Sequence, residues 1–179
     1  MTLRSGIYIV PTDRWYIERT VWLVSGFVLL ASTALALFYD PRAILFVTVT
    51  GLSSIFVGVT GYCPVGNVLK KLGFEPLLGT ADGGKYDLYR MQTDAWYLER
   101  RIYVVVGFNL SVASVLALVH SPWWLAFTGF VGLASLWFAG TGFCIMANAF
   151  YWTGAEPRLN RSATGSKGMA PSGVEPARG

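Results

Sequence analysis

Cys63 and Cys144 are the only cysteines of this 179-residue chain, and they stand in matching words, TGYCP and TGFCI, 81 positions apart. A thiolate pair can hold a metal or carry sulfur, but a metal site asks for three or four ligands. The lone histidine, His120, stands far from either thiol, beside Trp123 and Trp124. The residues therefore predict no metal site and no cofactor. Two readings of the thiols stay open: small apolar fillers, or sulfur and redox groups.

A second constellation recurs at the same distance. TDRWYIERTVW at 12–22 returns as TDAWYLERRIY at 93–103, which pairs Asp13 with Asp94, Trp15 with Trp96, Glu18 with Glu99 and Arg19 with Arg100. At the end of a membrane helix these eight residues read as interfacial charges and anchors. The rings of Trp15, Tyr16, Trp96 and Tyr97 are expected at headgroup level. Asp13 and Asp94 suit the first turn of a helix, where an acid meets the positive end of the dipole. Arg19 and Arg100 follow Trp15 and Trp96 by four residues, so each can stack on its ring or snorkel to phosphate. The functional alternative is a Glu-Arg network between the two copies that gates a passage. A Gly-rich phosphate loop, a metal-binding helix pair and a nucleophile with its base are all missing from the sequence, so no catalytic residue is expected.

The elements that position these residues follow from the echo itself. Shifted by 81, residues 12–76 align without a gap on 93–157, with 25 of 65 positions identical. This is an internal duplication. It divides the chain into an N-terminal segment (1–11), a first repeat (12–76), a linker (77–92), a second repeat (93–157) and a tail (158–179).

Composition places both repeats in a membrane. The chain is 54% hydrophobic and 13% charged, with a mean hydropathy of +0.49. Uncharged runs cover 20–39, 43–69 and 102–155, and about 20 helical residues cross a hydrocarbon core. The expected fold is all-α and integral to the membrane, with four spans near 20–39, 43–62, 102–120 and 123–143. They form two helical hairpins of the same polarity, a tandem parallel repeat with a pseudo-twofold axis along the membrane normal. The N-terminus lacks a signal-peptide core and cleavage site, and is expected to be retained. Of the 14 Lys and Arg residues, 13 lie before the first span, between the second and third, or after the fourth, against Arg42 alone in the opposite turns. That bias predicts cytoplasmic termini and linker, with the thiols on the reducing side. The net charge of +4 then reflects topology and attraction to anionic lipid, not nucleic acid.

Between the two spans of each hairpin, Asp40-Pro41 and Ser121-Pro122 are expected to restart helices, with the polar side chain accepting free amides and the proline at the first helical position. Small residues mark helix-packing positions: Gly51, Ser54, Gly58 and Gly61 in the second span, Gly107 and Ser111 in the third, and Gly129 and Gly132, with Ser135, in the fourth. They predict close packing within each hairpin, or a docking face for another protein's helix. Asn109 is expected to bond a neighbouring helix. The tail, rich in Gly, Ser, Pro and Ala, is expected to be flexible.

At ERTVWLVSGFVLL and TGYCPVGNVLKKLGF the chain resembles the YgaP-like transmembrane domain family. Glu18, Arg19, Gly26, Gly61, Cys63 and Pro64 carry the likeness. Glu99, Arg100, Gly107, Gly142 and Cys144 repeat it, with Ile145 in place of the proline. The resemblance implies hairpins that associate in bacterial inner membranes, each closing on a small amphipathic segment. Relatives are sometimes fused to rhodanese domains, and no such domain is present in this sequence. The functional expectation is a non-catalytic inner-membrane protein, an accessory or assembly subunit of a larger membrane complex. Its partners would be the bilayer and other integral subunits or copies of itself. The alternative is a small conduit or sulfur-handling protein for an uncharged or sulfur-containing solute, with Cys63 and Cys144 at its inner mouth.

Overall fold

The computed structural model describes residues 6–79 and 88–159. Residues 1–5 of the N-terminal segment, 80–87 of the linker and the expected flexible tail from 160 onward lie outside the described residues.

The described chain is all-helical apart from isolated β-bridges. Helix α1 (Ile17–Phe38) is followed by a short 3-10 turn at Pro41–Ala43, then α2 (Ile44–Thr60) and a short α3 (Pro64–Lys71). The order repeats as α4 (Leu98–Val119), α5 (Trp124–Thr141) and α6 (Ile145–Trp152). Four helices are long and apolar enough to cross a membrane: α1, α2 with its 3-10 turn, α4 and α5. The turn before α2 forms as its sequence predicts. Asp40 Oδ1 accepts the Arg42 amide at 2.8 Å, with Pro41 in the first position.

The boundaries differ from expectation in one consequential way. Helices α1 and α4 start at Ile17 and Leu98 instead of near 20 and 102, which draws Glu18, Arg19, Glu99 and Arg100 into their first turns. Asp13 and Asp94 lie ahead of those turns and cap nothing there, since the N-cap positions belong to Tyr16 and Tyr97. At their C-terminal ends, α2 and α5 are closed by Gly61 and Gly142 in the left-handed conformation, with φ of 74° and 73°. A side chain is doubly excluded at Gly142, because a Cβ there would stand 2.6 Å from the Val10 carbonyl oxygen. Glycine suits such a helix end because it adopts positive φ without steric cost.

The layers are built across the hairpins. Helix α1 packs mainly on α5 and α2 mainly on α4, with slighter contact inside each hairpin. The expectation of small-residue packing within a hairpin is therefore corrected. A Cβ on Gly107 would meet the Gly51 carbonyl at 2.5 Å, and one on Gly51 would meet Ser111 Oγ at 2.7 Å. Gly58 lies against Val104 and the Arg100 carbonyl, and Gly26 against Leu136 and the Gly132 carbonyl. Dispersion and hydrogen bonding favour such intimate backbone contact in an apolar surround, where hydrophobic burial between helices supplies little. Gly129 is looser, with Thr33 at 3.5 Å.

Two hydroxyl pairs lock the same interfaces. Thr33 and Thr128 join α1 to α5 at 2.8 Å, and Thr48 donates to Ser114 between α2 and α4 at 3.0 Å. Asn109, expected to bridge helices, instead returns its Nδ2 to the Val105 carbonyl of its own helix at 2.8 Å. A side-chain amide at that spacing reaches the preceding turn more directly than the next helix.

Candidate functional site

Glu18, Arg19, Glu99 and Arg100 converge at one end of the bundle, and they are inside it. Glu18 is 1% exposed, Glu99 5%, and Arg19 and Arg100 6% each. Their expected role as interfacial charges is corrected for these four. Burying an ion requires hydrogen-bond partners for it, and each has found them. Asp13, Trp15, Asp94 and Trp96 do remain exposed, whereas Tyr16 and Tyr97, also expected at headgroup level, are buried.

Each glutamate holds a loop that follows its own repeat. Glu18 Oε1 accepts the Leu78 amide at 2.7 Å and the Tyr89 hydroxyl at 3.0 Å, while the Leu77 amide is shared between its oxygens at 3.2 and 3.1 Å. Glu99 does the same. Its Oε1 accepts the Leu159 amide at 2.7 Å and the Tyr8 hydroxyl at 2.8 Å, and both oxygens share the Arg158 amide at 3.0 and 3.1 Å. Backbone bonds beside them fix the register, from Ile17 N–H to the Glu75 carbonyl and from Leu98 N–H to the Glu156 carbonyl. Among the described residues neither carboxylate forms an ion pair.

The arginines act across the bundle rather than on the glutamates. Arg19 Nε donates to the Ala139 carbonyl at 2.6 Å, near the end of α5, and its Nη1 reaches the Thr12 and Arg14 carbonyls. Arg100 Nε donates to the Gly58 carbonyl at 2.6 Å and Nη2 to the Val59 carbonyl at 2.9 Å, near the end of α2. Each guanidinium also lies 4.0 Å from a tryptophan ring, Arg19 over Trp15 and Arg100 over Trp96. A cation suits this position because the last carbonyls of a helix lack amide partners and carry the negative end of its dipole. The stacking predicted from the four-residue spacing is present. Snorkelling towards phosphate is replaced by this internal capping.

Sequence reasoning missed four members of the site. Tyr8 and Tyr89 supply the buried hydroxyls, and Asn148 and Asn67 hold their backbones. The Tyr8 amide donates to Asn148 Oδ1 at 2.7 Å, and Asn148 Nδ2 donates to the Tyr8 and Cys144 carbonyls. Tyr89 and Asn67 match them, at 2.8 Å for the amide, with Asn67 Nδ2 donating to the Tyr89 and Cys63 carbonyls. The signal existed. Asn67 and Asn148 are identical at the 81-residue offset, and so are Tyr8 and Tyr89, four positions ahead of the gap-free alignment. Burial, and then the adjacent glutamates, push both tyrosine hydroxyls well above their ordinary range, so they stay protonated donors.

The thiols are helix starters. Cys63 is the N-cap of α3, its Sγ accepting the Gly66 amide at 3.2 Å, and Cys144 holds the same position before α6 without such a bond. Burial pushes both thiols up, which keeps them protonated and weak as nucleophiles. Among the described residues no three His, Cys, Asp or Glu side chains gather as a metal site. His120 accepts from Trp124 Nε1 at 3.4 Å at the opposite end of α4. Beside Glu99, the exposed Asp94 receives Arg158 Nη2 at 2.6 Å, and that hydrogen bond holds its carboxyl below the usual range.

One cavity of about 370 Å³ opens from this site, between α1, α4, α5 and α6, with Glu18, Glu99 and Tyr8 at one end and apolar side chains along its walls. No protein-family model, no curated protein and no solved structure matches this chain.

Proposed function

We propose that the chain is a non-catalytic, multi-pass protein of the bacterial inner membrane that packs as an accessory or assembly subunit against a larger membrane complex. Its four apolar helices cross the bilayer, and both termini and the 77–92 linker face the cytoplasm. Its two halves are tandem parallel repeats of the YgaP-like hairpin, related by a pseudo-twofold axis along the membrane normal. Matching contacts at residues 81 apart support the repeat reading, since Glu18 and Glu99, Arg19 and Arg100, and Asn67 and Asn148 each bond equivalent groups.

The observation that carries the functional reading is how the polar groups are spent. The two glutamates hold the connecting segments and the two arginines join the hairpins, so the chemistry of the repeats serves self-assembly. What the bundle offers outward is bulky apolar surface, including Phe27, Phe46, Phe108, Phe130 and Trp137. The close approach of Gly51 to Gly107 and of Gly26 to Gly132 leaves a conduit between the hairpins less supported.

Two measurements test the proposal. Cysteine reporters at positions 85 and 170 should react only from the cytoplasmic side and one at 121 only from outside; a linker reached from outside would sink the topology. Purification in mild detergent should recover one large integral partner in fixed stoichiometry. A lone, monodisperse protein that moves a solute in liposomes would replace the subunit with the conduit.

A further inference from the structure

The 370 Å³ cavity has a composition that the packing of the bundle does not explain. Its volume falls in the range of roughly 300 to 1,000 Å³ typical of small-molecule sites. Trp22, Tyr103, Phe127, Phe130, Trp137 and Phe138 supply aromatic wall, and among the described residues the charged side chains lining it are two carboxylates, Glu18 and Glu99. We propose that this cavity binds a hydrophobic organic cation, a quaternary ammonium or phosphonium with alkyl or aryl arms, seated on the aromatic wall with its charge towards Glu18 and Glu99.

Three observations select a cation. First, aromatic faces attract cations through the ring quadrupole, the more so where water is excluded. Trp22 is already arranged as part of a ring cluster, 4.9 Å from Tyr103 and 5.8 Å, edge to face, from Phe138. Second, the carboxylates are held by neutral amides and hydroxyls, and among the described residues neither has an ion-pair partner. The nearest guanidiniums in sequence, Arg19 and Arg100, are committed to carbonyls and to the Trp15 and Trp96 rings, and neither lines the cavity. In a medium of low dielectric, negative charge left without a counter-ion acts over several ångströms. Third, among the described residues Oε2 of each glutamate accepts only the shared amide, at 3.1 Å in both cases, so lone pairs remain there. A small hard metal ion would ask for six or more oxygens, which this apolar wall does not supply. The arms of an organic cation need what the wall does supply.

The mouth favours entry from the side. Phe130, Trp137 and Ile145 line the cavity and are also exposed on the outer surface, so a ligand partitioned into the bilayer reaches it without crossing water. A neutral lipid chain would use the same mouth but would gain nothing from the carboxylates, and that difference makes the two occupants separable.

The test uses the full chain in nanodiscs of zwitterionic lipid, with tetraphenylphosphonium as the probe and equilibrium dialysis against empty discs as the readout. The expected result is a saturable component of one cation per chain. It should weaken at least tenfold in E99Q, and should vanish in A134F, which fills the cavity from α5 without altering a carboxylate. Uncharged triphenylmethane should compete at least tenfold less well. Since E99Q also loosens the Leu159 segment and can misfold, A134F decides the question if E99Q is not monodisperse. Binding no greater than to empty discs, saturable binding unchanged in A134F, or equal competition by triphenylmethane would each overturn the proposal, the last by assigning the cavity to neutral hydrocarbon.

Discussion

The Tyr8 hydroxyl donates to the Glu99 carboxylate at 2.8 Å across 91 positions of sequence, and Tyr89 makes the corresponding bond to Glu18 at 3.0 Å across 71. The segment leading into each repeat thus closes the glutamate of the other. This reciprocal exchange ties the two halves together at the end of the bundle where Arg19 and Arg100 also cross between them.

Removing one of these hydroxyls leaves a buried carboxylate short of a donor. A hydrogen bond to a charged group contributes about 1.5–3 kcal/mol. Y8F and Y89F are each expected to lower stability in detergent by that amount, read from chemical denaturation, and to leave helix content unchanged. A loss below about 0.5 kcal/mol in both would show that the carboxylates do not depend on the tyrosines.

The same hydroxyls set an alkaline limit. Both are raised above the ordinary tyrosine value of about 10, by burial first and then by the neighbouring glutamate. Their folded state keeps the proton longer than the unfolded state does, so their contribution is complete below pH about 10 and is lost as pH climbs from there towards the folded values. Unfolding should accelerate above pH about 10 in the native chain, together with tyrosinate absorbance, and Y8F/Y89F should flatten the dependence.

Arg100 reaches the Gly58 and Val59 carbonyls with a fork while stacking on Trp96. Lysine keeps the charge but not the fork or the planar stack. R100K is expected to cost about 2–3 kcal/mol and to loosen α4 from the end of α2, seen as faster amide exchange at residues 59–62. R19K should do the same at the end of α5. Exchange unchanged in both would remove the capping role.

Glycines differ sharply by neighbour. G107L would force its side chain onto the Gly51 carbonyl and Ile55, and is expected to cost about 3 kcal/mol or more or to separate α4 from α2. Among the described residues nothing stands within 4 Å of a Cβ on Gly140. G140A should be neutral or stabilising by up to about 1 kcal/mol through helix propensity. The pair can be compared by thermal aggregation in one detergent.

The two thiols should also part ways. C63A removes the acceptor of the Gly66 amide and is expected to cost about 1 kcal/mol, with C63S recovering part of it, whereas C144A should cost less because Cys144 caps nothing by side chain. Maleimide should modify Cys63 slowly at neutral pH, since it is buried and protonated. Equal losses in the two alanine variants would point to simple space filling at both positions.

The four long helices were legible in the sequence because hydropathy and charge spacing are local properties that need no neighbour to interpret. The Asp40 cap with Pro41 in the first position and the stacking of Arg19 on Trp15 were legible for the same reason, each resting on residues within four positions. Burial of Glu18 and Arg19 was not, because a charge at a helix start looks the same whether it faces water or the partners that fold over it. Those partners are mostly backbone: the Leu78 and Leu159 amides, and the Ala139 and Gly58 carbonyls, carry no mark in the residue type. Nor can a row of small residues say which helix it receives. Gly51 and Gly107 read equally well as contacts within a hairpin, and only the tertiary structure set them against each other, since close backbone approach is a property of two helices at once.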